Sequence, residues 1–202
     1  MNVGAPILDV VPGPRGLVLH ALTRMARRMT GRELAQFAGV PVSTTARILS
    51  DLVDAGIVQA EPVGAAVAYR LNSEHLVARA ISELAGAKVD LVKRLRREIK
   101  GWEVPAVAGW LFGSTARGDG GRHSDVDILL VTAHPASSQW ETQVGHLADL
   151  VERWTGNHAQ MVEHTVSSLL ALEAERSPLT ANLRVDGLEL VIQSWTAISR
   201  AT

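Results

Sequence analysis

The chain of 202 residues contains no cysteine, which excludes disulfides, thiolate zinc sites and cysteine nucleophiles together. No apolar run approaches the ~18 residues that a membrane span requires. The first residues, MNVGAPILDVVPG, carry no basic segment ahead of their apolar positions and make a poor signal peptide. The cytoplasm is therefore the simplest location, and no membrane partner is expected. Internal repeats and low-complexity segments are also lacking. Aromatic residues make up only 4%, and the five tryptophans (102, 110, 140, 154 and 195) all lie in the second half. Apolar residues supply 47%, enough to fill a buried core and to make disorder an unsuitable description.

The net charge of −1 conceals an asymmetry. Residues 1–100 carry 14 Lys+Arg against 9 Asp+Glu, net +5, whereas residues 101–202 carry 6 against 12, net −6. The tryptophan bias shifts at the same place, which puts a domain boundary near Gly101. A positive half beside a negative one points to a polyanion-binding module joined to a metal-binding one.

In the first half, residues 1–13 read as an arm, and Pro12-Gly13-Pro14 delays a helix until Arg15. Val18, Leu22, Met25 and Met29 then recur at helical spacing. Thr30 and Glu33 form a capping box for a second helix with Leu34 and Phe37 inward and Gly39 as its stop. After Val40-Pro41-Val42, Ser43 is expected to cap a third helix with Ala46, Leu49, Leu52 and Val53 inward. Residues 57–61 and 66–71 read as two short strands around Val63-Gly64-Ala65.

Helix, short helix, turn, helix and ribbon is the order of a winged helix-turn-helix, and TGRELAQFAGVPVSTTARILSDLVDAGIV resembles that stretch of bacterial regulators. The resemblance implies that the third helix enters the major groove of double-stranded DNA with Thr44, Thr45 and Arg47, Arg47 reaching a guanine edge or a phosphate. The wing tip, Val-Gly-Ala-Ala, has no basic residue, so contact with protein instead of DNA is the competing reading. A long helix from Asn72 or Ser73 to about Ile99 follows, with Ile81, Leu84, Leu91, Leu95 and Ile99 on its apolar side. Lys93, Arg96, Arg97 and Lys100 share another face. This helix is the natural linker and a candidate homodimerisation element; its basic face suits either nucleic-acid phosphates or solvent.

The most informative stretch is Leu111 to Val131, LFGSTARGDGGRHSDVDILLV. It opens as a strand, breaks at Gly113-Ser114, crosses a Gly-rich loop and re-enters a strand with Asp125 and Asp127 one residue apart. Side chains at i and i+2 of a strand share a face. Two like charges on one face are unfavourable unless a cation joins them. Magnesium takes few carboxylates and keeps positions for water and substrate phosphates. Gly113 lets the backbone approach a ligand, and the first amides of a short helix from Ser114 supply an anion site. Phosphate donors beside a metal pair imply phosphoryl or nucleotidyl transfer.

Phe112-Gly113-Ser114, followed after about ten residues by Asp125-Val126-Asp127-Ile128, resembles the signature of the polymerase-beta-like nucleotidyltransferase superfamily. Arg117-Gly118 and Ser124 match its small bacterial members. The resemblance implies that Asp125 and Asp127 are catalytic and hold magnesium, and that Gly113, Ser114, Arg117 and Ser124 bind the nucleotide. It also implies a third carboxylate on the strand after the next helix. At the matching place stands Gln160, and nearby Glu163 has the opposite strand parity.

The remaining elements expected are strands over 106–112, 125–132 and 158–163, helices over 138–154 and 166–175, a short helix after Ser177-Pro178, and a closing strand or extended edge over 187–193. They give a mixed sheet covered mainly on one face. The whole chain is then α+β: a winged helix-turn-helix over residues 1–72, a linker helix over 73–100 and a nucleotidyltransferase-like α/β domain over 101–202. Two functions follow. One is magnesium-dependent transfer of a nucleoside monophosphate from a nucleoside triphosphate to a hydroxyl acceptor, coupled to DNA binding. The other is transcriptional regulation by a protein whose nucleotidyltransferase domain only binds a nucleotide.

Overall fold

The computed structural model describes residues 1–25, 27–191 and 194–200. They divide into two compact units, Ala5–Ala87 and Met1–Gly4 with Lys88–Thr202. Each unit has its own apolar core.

The first unit begins with α1 (Ile7–Val10), a single turn where an irregular arm was expected, followed by α2 (Pro14–Arg24). The chain then extends, so Met29 is buried in the two-residue strand β1 (Met29–Thr30) and does not extend the α2 stripe. Thr30 and Glu33 close the expected capping box on α3 (Gly31–Ala38), which ends at Gly39 in the left-handed conformation, φ 64°. Next comes α4 (Val42–Asp54). It starts after Pro41 without a side-chain cap, so the cap expected from Ser43 is not formed. Its buried face is Thr45, Ile48, Leu49 and Leu52; Ala46, expected inward, is exposed, as is Phe37 on α3. A hairpin of β2 (Val58–Val63) and β3 (Ala66–Leu71) completes an antiparallel sheet in the order β1-β3-β2.

The expected single linker helix is two helices, α5 (Leu76–Ala85) and α6 (Ala87–Lys100), divided at Gly86, a residue of poor helix propensity. The expected common apolar side is divided too. Ile81 enters the core of the first unit, whereas Leu91, Leu95 and Ile99 enter a core of the second.

The second unit is built on a mixed sheet. Its strands are β4 (Ala108–Phe112), β5 (Val126–Thr132), β6 (Ala159–Thr165) and β7 (Leu188–Glu189), in the order β6-β5-β4-β7. β5 runs antiparallel to β4 and parallel to β6. Between them lie α7 (Gly113–Arg117), α8 (Ser138–Thr155), α9 (Val166–Ala174) and α10 (Pro178–Asp186); α11 (Ser194–Arg200) follows β7 and was not foreseen. Ser137 caps α8 and left-handed Gly156, φ 70°, stops it.

The sheet is covered on both faces, not mainly on one. Val126, Ile128 and Leu130 pack with α6 and α8, while Leu129 and Val131 pack with α9, α10 and α11. That is why β5 reads as a nearly unbroken apolar run. Each aliphatic side chain buried there is worth roughly 1.5–3 kcal/mol relative to exposure. Of the closing strand expected over 187–193, only Leu188–Glu189 is a strand, and Ile192 and Gln193 lie outside the described residues.

Candidate functional site

Antiparallel register sets Phe112, the last residue of β4, opposite Asp127 of β5. Gly113 follows at φ 67°, and a Cβ there would lie 2.2 Å from Asp127 Oδ2. Glycine is thus required twice, for the left-handed backbone and for the space beneath the carboxylate. α7 begins at this turn and is tied to the second strand, since the buried Thr115 hydroxyl donates to the Asp125 carbonyl at 3.1 Å. The structure therefore brings Gly113, Asp125 and Asp127 together at one end of the sheet. Asp125 is exposed just before β5, and Asp127 is half-buried. Burial raises the proton affinity of Asp127, the neighbouring charge of Asp125 raises it further, and Arg117 opposes both.

Arg117 ends α7. Its Nε lies 3.1 Å from an Asp119 carboxylate oxygen and its guanidinium 3.9 Å from Asp186 at the end of α10. The loop to Asp125 folds back on α7: Gly118, Asp119 and Gly120 all donate their amides to the Ser114 carbonyl, at 2.9, 3.2 and 3.3 Å. The Ser124 hydroxyl accepts the Gly121 amide at 2.8 Å, so it shapes the loop.

Sequence reasoning missed Asn157 and Asp186. Asn157 is 4% exposed and donates through Nδ2 to the carbonyls of Arg122, at 3.1 Å, and Ser124, at 2.8 Å, pinning the loop from 33 residues away. Its position just after the helix-stopping Gly156 was visible in the sequence; its long-range partners were not.

β6 runs regularly to Thr165 and pairs in parallel with β5, which places Gln160 beside Asp127 and Glu163 beside Leu130. Gln160 therefore shares the Asp127 face. No bulge reverses the parity of Glu163, whose carboxylate accepts the indole N–H of buried Trp140 from α8. Glu163 is thus excluded as a third carboxylate. Among the described residues no group of three or more His, Asp or Glu side chains is placed to hold a metal ion. With only the two carboxylates of Asp125 and Asp127 at this turn, a divalent cation bound there would take its remaining ligands from water and phosphates.

In the first unit Arg47 is exposed on α4 and Thr44 is half-buried. Thr45 is fully buried with its hydroxyl 3.5 Å from the Val40 carbonyl, so it supports the helix and does not reach a DNA surface. The charge asymmetry also divides differently from the expectation. Residues 5–87 carry 8 Lys+Arg against 7 Asp+Glu, net +1, while residues 88–100 carry 6 against 2, net +4. The positive excess belongs mainly to α6, in the second unit.

Comparison with known proteins agrees with this division. The family model for the IclR helix-turn-helix domain matches residues 16–62, and that for the nucleotidyltransferase domain matches residues 91–175. The chain thus carries a helix-turn-helix domain of the IclR type followed by a nucleotidyltransferase domain. One solved structure, described as the crystal structure of the predicted DNA-binding transcriptional regulator from E. coli, is similar at 17% identity and a TM-score of 0.33. The likeness covers 42% of this chain and 83% of that one. No curated protein matches the chain. No helix among the described residues is long and apolar enough to cross a membrane.

Proposed function

We propose that the protein is a magnesium-dependent nucleotidyltransferase coupled to a DNA-binding winged helix. The observation that carries this reading is the turn at Gly113, whose backbone lies directly beneath the Asp127 carboxylate with Asp125 two residues away. Such a cradle can seat a triphosphate against two carboxylates. Magnesium, when bound, supplies charge stabilisation to the triphosphate and to the leaving pyrophosphate.

Asp125 and Asp127 hold that cation. Ser114 and the first amides of α7 contact the phosphates, and Arg117 adds a charge-assisted clamp, partly released from Asp119. Ser124 maintains the loop around them. In the transfer, the acceptor hydroxyl oxygen bonds to the α-phosphorus, the α–β bridging P–O bond breaks and pyrophosphate departs. The hydroxyl proton goes to water, because Gln160 beside Asp127 cannot take it. In the first unit, exposed Arg47 with Thr44 reads duplex DNA from α4.

Gln160 also favours a second reading, in which the site binds the nucleotide without transferring it and the protein regulates transcription. The discriminating experiment incubates the full chain with each labelled nucleoside triphosphate and magnesium, and follows pyrophosphate release and label on RNA, protein or small-molecule acceptors. Transfer that disappears in Asp127→Asn supports the first reading. Nucleotide binding without pyrophosphate release leaves the second.

A further inference from the structure

We propose that the groove between α6 and the C-terminal end of α8 binds a single-stranded nucleic acid, with Lys93, Arg94 and Arg97 on its phosphates and Trp154 as a base-stacking platform. The groove measures about 420 Å³ and is lined by these four residues with Asp90 and Glu98. Arg94 pairs with Asp90 at 2.7 Å while its guanidinium sits 5.7 Å over the Trp154 ring. Glu98 lies 3.8 Å from His146 on α8. Lys93 and Arg97 enter no ion pair among the described residues, one helical turn apart on the same side of α6. Unpaired cations at this spacing beside an indole match the composition of single-strand sites, where cations follow the backbone and aromatic rings stack on bases. A duplex keeps its base faces stacked inside and offers the indole none.

The groove's place in the unit adds a second argument. At the start of α6 the Lys88 ammonium donates to the Ala116 carbonyl of α7. At the far end of α8, Asn157 donates to Arg122 and Ser124 of the loop that leads into Asp125. The two helices that form the groove are therefore tied to both sides of the Gly113–Asp125 segment. These ties favour a strand in the groove as the acceptor; that assignment rests on the nucleotidyltransferase reading above, whereas binding in the groove does not.

The test uses the full chain, without metal or triphosphate, and reads fluorescence anisotropy of labelled oligo-U and oligo-dT of about 12 nucleotides. Because neither metal nor nucleotide is present, failure here is distinct from failure of the nucleotidyltransferase reading. We expect at least one strand to bind, with affinity falling as salt rises. The double substitution Lys93→Gln with Arg97→Gln should weaken it about tenfold or more, and Trp154→Leu about fivefold or more, with Trp154→Phe recovering part of the loss. Duplex binding through Arg47 should be unchanged in all three. Tighter oligo-U assigns RNA, and tighter oligo-dT assigns DNA. Because Lys93 and Arg97 are exposed, the double variant remains informative if Trp154→Leu does not fold. Equal affinities of the parent and the double variant, or no binding of either strand at low salt, would overturn the proposal.

Discussion

Substitution of Gly113 by alanine probes the cradle directly. The residue sits at φ 67°, and the added methyl would lie 2.2 Å from Asp127 Oδ2. Alanine in the left-handed region costs roughly 1–2 kcal/mol. Clearing the contact forces the Asp127 side chain off its rotamer, at about 0.5–1.5 kcal/mol more. In the parent, Gly113→Ala should therefore cost around 2–3 kcal/mol by denaturant unfolding. In an Asp127→Ala background only the backbone penalty of roughly 1–2 kcal/mol remains. The double-mutant cycle then yields a coupling of about 1 kcal/mol. Urea melts of the four proteins measure it, and a magnesium-nucleotide titration should show the single Gly113→Ala variant defective. Equal costs in the two backgrounds would refute the close approach from which the site is argued.

Four further outcomes are expected. Gln160→Glu adds a carboxylate to the Asp127 face, so magnesium should stabilise the fold against heat more strongly than in the parent, while Glu163→Gln, whose amide oxygen still accepts the Trp140 indole N–H, should leave transfer intact and change stability little; transfer abolished by Glu163→Gln would contradict the strand register. The Thr30 amide, then Arg27 and the Thr30 hydroxyl, depress Glu33 from 4.5 to about 2, so its contribution is complete above about pH 4.5 and fades as pH falls through about 2. The melting-temperature gap between parent and Glu33→Gln should close over that window, and a gap independent of pH would show that the charge is not engaged. Arg47→Ala should cost roughly 1–3 kcal/mol in specific DNA binding, measured at fixed salt against a selected duplex, and no change would remove α4 from the groove.

Much of the architecture was legible because its signals are local. The Thr30–Glu33 capping box, the stops at Gly39 and Gly156, and the Gly-Ser turn before two spaced aspartates each act within a few residues. The errors arose where tertiary context decides. Thr45 looks like a recognition-helix residue because it is polar and early in α4, yet the helix starts at Val42 and its rotation carries Thr45 into the core. A stripe that reads as one helix from Ile81 to Ile99 serves two cores because Gly86 interrupts it. The +5 charge of the first hundred residues looked like a property of the DNA-binding half, but most of it lies on α6. Asn157 and Asp186 could not be found from sequence, since their loop and arginine partners are brought to them only by the sheet and the packing of α10.

The proposed function requires that Gly113, Asp125 and Asp127 form a metal-nucleotide site. Calorimetric titration of the full chain with each nucleoside triphosphate, with and without magnesium, tests it most directly when repeated on Asp125→Asn and Asp127→Asn. Such a site requires saturable, magnesium-dependent binding in the parent and its loss in both variants, with unchanged circular dichroism. Equal binding by parent and variants, or no binding of any triphosphate by the parent, would contradict it.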